Sequence, residues 1–101
     1  NRASLHNQRF KTSTQPYFLD SYGWANVKLN KLDEAKPVLE QAVALEPNVA
    51  VFNYHLGVLH VKQGNSELAR QYLNTAKQQA SQNNESDLIA DIDSAISSLN
   101  N

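Results

Sequence analysis

Gly23 and Gly57 stand 34 residues apart, and other pairs share that spacing. Phe18/Phe52, Val27/Val61, Lys28/Lys62, Ala35/Ala69, Leu39/Leu73 and Ala42/Ala76 are identical at the same offset. Seven identities in one register mark a tandem repeat rather than an accident of composition. This limits the fold more than any other feature. A unit of about 34 residues is one supersecondary element, and it buries its apolar side only by stacking on a neighbour.

Inside each unit the apolar spacing is helical, with no sustained two-residue alternation. A first helix is expected over 17–29, following Pro16, a residue suited to a helix start. The "NKLD" turn comes next, and Asp33 is the expected N-cap of a second helix running to Leu45 and ended by "EPN". Pro37 then falls at the edge of the first turn, where little hydrogen bonding is lost. The second unit repeats the plan: a helix over 49–63, Gly64 as its stop, and Ser66 capping a helix to Ala80. After the polar "SQNN", the segment "SDLIADIDSAISSL" places Leu88, Ile89, Ile92, Ala95, Ile96 and Leu99 on one stripe. That pattern predicts an amphipathic closing helix. Ahead of the units, Leu5 is in register with Leu39 and Leu73, so residues 1–15 read as the remnant of a preceding unit's second helix. The expected organisation is a single all-α domain of five helices: 1–15 remnant, 16–48 and 49–82 repeat units, 85–101 cap.

A glycine inside a helix costs about 1 kcal/mol relative to alanine. Gly23 and Gly57 therefore need a reason. Helices pack about 8–10 Å apart, and their closest approach demands small residues. The two glycines, with Ala35 and Ala69 on the second helices, suit that contact without any phosphate-binding role.

The spacing resembles the tetratricopeptide repeat, whose pattern is W-x2-L-G-x2-Y, A-x3-F and P. Leu19, Tyr22, Gly23 and Asn26, then Ala35, Leu39 and Pro47, occupy those places in the first unit. Asn53, Leu56, Gly57 and His60, then Ala69, Leu73 and Ser81, occupy them in the second. The small residues match and the bulky ones are substituted. The resemblance implies a superhelix of helical hairpins that binds protein partners and does not catalyse. A peptide or partner helix would lie along the concave face lined by the first helices. On that face the resemblance places Tyr17, Asp20, Trp24 and Lys28 from unit one, and Tyr54, His55 and Lys62 from unit two. Chaperone-binding members hold a C-terminal carboxylate with basic and amide side chains there. Here Asp20 and Tyr54, Ser21 and His55, and Trp24 and Val58 stand instead, so that clamp is absent. Phrases such as "LDSYGWA" and "QGNSELAR" also look like bacterial repeat proteins of envelope and secretion systems, including those accompanying PEP-CTERM exopolysaccharide systems. That finer likeness implies the periplasm or cell envelope.

Other chemistries find no residues. Without cysteine, thiol chemistry and disulfides are excluded. His55 and His60 are five apart, about 500° of helical rotation, and diverge where metal ligands four apart would converge. His6 lies far from both in sequence. Asp87, Asp91 and Asp93 lack the glycine and spacing of a calcium loop. No glycine-rich phosphate loop, serine elbow or clustered acid–base pair is present, so neither enzyme nor cofactor site is expected. The net charge of −1 gives no drive toward RNA, DNA or an anionic membrane. No apolar run approaches the roughly 18 residues that membrane insertion requires.

Two functional readings remain. In one, the chain is a protein-interaction module whose groove takes a peptide or helix, with Trp24 and Tyr54 as anchors. In the other, it is a capping segment of a longer scaffold. Trp24 and Tyr54 then simply fill the junction between first helices, and self-association through the repeat ends becomes an option. RNA binding by a related hairpin array is disfavoured by the acidic balance.

Overall fold

The computed structural model describes residues 2–99, with side chains described over 15–99. Five helices follow in order: α1 (Arg2–Lys28), α2 (Leu32–Leu45), α3 (Ala50–Gln63), α4 (Ser66–Gln82) and α5 (Ser86–Leu99). No strand occurs among the described residues. The all-α expectation from the period is met.

The helices α1 and α2 form one hairpin, and α3 and α4 a second. Between the hairpins, α2 packs on α3, and α5 closes the array against α4. The odd-numbered helices also touch in succession, α1 with α3 and α3 with α5. First helices thus line one face of the array, and α2 and α4 lie behind them.

Three of the turns are closed by one device. Asn30, Gly64 and Asn84 adopt positive φ of 64°, 80° and 59°, the left-handed conformation that ends a helix. The next N–H in each case reaches back six residues along the chain, counting both ends. Lys31 donates to Asn26 O at 2.8 Å, Asn65 to His60 O at 2.9 Å and Glu85 to Ala80 O at 2.9 Å. Gly64 is the predicted stop. Asparagine at the other two turns serves because its short polar side chain tolerates this region.

The helix starts differ from expectation. Asp33 does not cap α2. The N-cap is Lys31, and Asp33 joins Glu34 in the first turn, where their charges complement the helix dipole. Because α2 starts that early, Pro37 is its sixth residue and has no N–H to give the Asp33 carbonyl. Likewise Asn65, not Ser66, is the N-cap of α4, and that helix runs on to Gln82. Pro16 does not begin a helix but lies inside α1. Its ring is fully buried, which offsets part of the lost hydrogen bond. The proposed register of Leu5 concerns a side chain outside the described residues.

Two clusters make the core. Val27, Ala35, Leu39, Leu56 and Leu59 join α1, α2 and α3. Ala50, Leu73, Ala76, Ala80 and Ile92 join α3, α4 and α5, with Leu88, Ile89, Ile96 and Leu99 packed around them. The closing stripe read in the sequence is therefore the surface that covers the second hairpin. The glycines sit at the tightest contacts. A Cβ on Gly23 would lie 2.7 Å from Leu39 Cγ, and one on Gly57 2.8 Å from Leu73 Cγ. The partners are leucines of the second helix; Ala35 contributes only its carbonyl, 3.5 Å away.

Candidate functional site

The face formed by the first helices gathers Tyr17, Trp24, Tyr54 and His55. Asp20 and Trp24 are four apart on α1 and share one side. His55, on α3, meets both. Its Nδ1 lies 2.8 Å from each carboxylate oxygen of Asp20, and its ring stacks on Trp24 at 4.0 Å between centroids and 12° between planes. Facing a carboxylate, Nδ1 carries the proton and donates it. Asp20 and His55 are both buried, at 5% and 7% exposure. A charged carboxylate at that depth needs a partner, and His55 supplies it.

Around this pair the other predicted residues spread outward. Tyr54 tilts against Trp24 at 5.9 Å and against His55 at 5.4 Å. The Lys28 ammonium sits 6.0 Å from the Trp24 ring centroid, at the outer limit of a cation–π contact. Tyr17 remains half exposed and turns its edge to Phe52 at 5.0 Å. Lys62 is exposed one turn beyond Val58.

The structure thus gathers Trp24, Tyr54 and His55 into one cluster with Lys28 above it. Asp20, expected as one of the groove-lining residues, lies at the centre of the cluster with its carboxylate engaged by His55. Sequence reasoning named both residues but missed their pairing. The available signal was that each falls on the groove stripe of a first helix, in neighbouring repeats.

Beside the cluster, α3 and α5 enclose an open cleft of about 330 Å³. Tyr54, Val58, Val61 and Ala95 form its apolar part, with Lys62 on one rim and Asp91, Ser94 and Ser98 on the other. Burial, then the Asp91 carboxylate, push the Tyr54 hydroxyl above its usual pKa, so it stays a protonated donor. The cleft offers an aliphatic seat with one cation, one anion and hydroxyls at its margins.

Two further polar groups work behind the face. Asn53, at the place where the repeat pattern has tryptophan, donates through Nδ2 to Pro47 O at 3.1 Å and Gln79 Oε1 at 2.9 Å. Gln79 Nε2 donates to the same Pro47 carbonyl at 3.0 Å, tying the α2–α3 turn to α4. His60 is buried at 3% and stacks on Tyr72 at 5.5 Å, and its Nδ1 has no hydrogen-bond partner. Burial and the nearby Lys36 hold its pKa below the usual histidine value, against a weaker opposing pull from Glu40. Among the described residues no cluster of His, Asp or Glu could hold a metal ion. None of the described helices is long and apolar enough to cross a membrane.

A family model described as tetratricopeptide repeat matches residues 23–84, from the first glycine to the turn before α5. No curated protein and no solved structure matches the chain.

Proposed function

From a chain that belongs to the tetratricopeptide repeat family, a family of non-catalytic protein-interaction modules, we propose a groove that seats a peptide or partner helix against α1, α3 and α5. The observation that carries this reading is the open cleft between α3 and α5, continuous through Tyr54 with the Trp24–His55 stack. An aliphatic or aromatic side chain of the partner enters between Val58, Val61 and Ala95. Lys62 and Asp91 then hold polar groups of the partner at either rim. Trp24 contributes its remaining exposed edge, and Tyr17 and Lys28 extend the surface along α1. Asp20 and His55 act beneath it by fixing the Trp24 ring, since both are engaged with each other.

The test is a selection of random peptides displayed on phage against the intact chain, followed by amide-shift mapping with a selected peptide. Shifts at Val58, Lys62, Asp91 and Ser94 are expected. Shifts confined to α2 and α4 would remove the groove from consideration.

A second reading is supported by α5. Its stripe covers the α4 end of the array, as a terminal cap of a longer scaffold does. In that reading the chain ends a repeat superhelix assembling an envelope or secretion complex in the bacterial periplasm. Peptide selection would then yield nothing specific for the groove.

A further inference from the structure

One side of α1 lacks the cover that its counterpart on α3 receives. Phe18, Tyr22 and Ala25 are in register with Phe52, Leu56 and Leu59. In the second unit those three are 0%, 1% and 0% exposed, shielded by both helices of the preceding hairpin. In the first unit Phe18 is 72% exposed, Tyr22 54%, and Leu29 at the end of the same stripe 66%. Positions 18, 22, 25 and 29 follow one another along one side of the helix. A contiguous apolar stripe of this kind marks an interaction surface rather than ordinary surface scatter.

We propose that this face of α1 pairs with the same face of a second copy of the chain, α1 against α1 about a two-fold axis. Charge favours like meeting like. Over residues 12–29 the charged side chains are Asp20, buried against His55, and Lys28, whose ammonium turns toward the Trp24 ring on the groove side. Two such faces therefore approach without repulsion. The opposite end of the array offers no match. The exposed side of α5 presents Asp87, Asp91 and Ser94, with Asp93 paired to Lys77 at 2.8 Å, so a head-to-tail contact would set an aromatic stripe on charged and polar groups. Among the described residues, four of the six exposed large hydrophobic side chains lie at α1, namely Tyr17, Phe18, Tyr22 and Leu29. Leu45 and Leu68 stand singly on α2 and α4. Among the described residues, the apolar complement of an α1 face is another α1 face. Such an isologous contact closes at a dimer and does not grow. This surface is separate from the groove and does not depend on it.

Sedimentation equilibrium of the intact chain over a wide concentration range tests the pairing. The mass should rise from 11.3 kDa to twice that value and stop there. The double variant Phe18→Ser/Tyr22→Ser should remain at 11.3 kDa with unchanged helix content, while Leu68→Ser should still pair. The chain has no cysteine, so Ala25→Cys alone should give a disulfide-linked dimer on oxidation, and Ser97→Cys should not. If the double variant loses helix content, the cysteine pair of experiments decides. A wild-type chain that stays at 11.3 kDa would overturn the proposal, including the case where another segment covers the face. So would a dimer that survives Phe18→Ser/Tyr22→Ser in folded protein, or a mass that climbs past two copies.

Discussion

The two hairpins are nearly the same inside and opposite outside. Within each, a glycine of the first helix meets a leucine sixteen residues later, and the would-be Cβ distances agree at 2.7 and 2.8 Å. On the outer face, Phe18 and Phe52 are the same residue in the same register, yet one is 72% exposed and the other is sealed. A hairpin's interior is thus encoded by its own 34 residues. Its faces are decided by what stands next to it, as expected of an array held together by nearest-neighbour contacts.

The largest effect should separate the two phenylalanines. Phe52→Ala removes a fully buried ring and should cost about 3–5 kcal/mol. Phe18→Ala, measured by urea denaturation at high dilution, should stay within about 0.5 kcal/mol. Equal losses would mean that the first hairpin is covered after all.

The glycines should show the opposite pattern, with equal effects in both hairpins. Gly23→Leu and Gly57→Leu should each overpack their contact and cost about 1–3 kcal/mol. Alanine should cost less than leucine but still destabilise. The clash falls on the Cγ branch points of Leu39 and Leu73 as well as on their Cδ2 methyls, so turning a mobile end aside does not relieve it. A leucine variant that melts at the wild-type temperature in one hairpin would break the internal likeness.

The smallest effect lies at Asn26 and His60, which share a register. Asn26 donates to Tyr22 O at 3.2 Å and cannot titrate. His60, stacked on Tyr72 near Lys36 and Glu40, has a lowered folded pKa, so the unfolded chain binds its proton first as pH falls through the ordinary histidine value of about 6.5. Stability from this group is complete above that value and is lost on acidification toward the folded pKa. His60→Phe, which keeps a ring against Tyr72, should flatten that part of the melting-temperature profile. An unchanged slope would place the pH dependence elsewhere.

What the sequence made legible was whatever repeats. Gly23 with Gly57 and Leu39 with Leu73 could be read as one contact because the same pair occurs twice at one offset. The α5 stripe was legible from its period alone. Helix starts were not. Lysine and asparagine served at Lys31 and Asn65 where Asp33 and Ser66 looked better, because neither cap uses a side-chain hydrogen bond. Pro16 reads as a start because a helix interior usually rejects proline, but a single lost bond is tolerable when the ring is buried. The Asp20–His55 pair was hidden for a different reason. It depends on the rotation of α1 relative to α3, which no spacing within either helix reports.

The contact order of the array carries a consequence for how it comes apart. Among the described residues no helix touches another more than two places away in the chain; α1 meets α2 and α3 but neither α4 nor α5. Opening α1 therefore leaves the second core cluster, from Ala50 to Ile92, with all its partners. Opening α5 in the same way leaves the first cluster, from Val27 to Leu59, with its partners, so the array comes apart from either end. Amide protons in α1 and α5 should exchange through partial opening, while those of α3, packed from both sides, should wait for the whole array to let go.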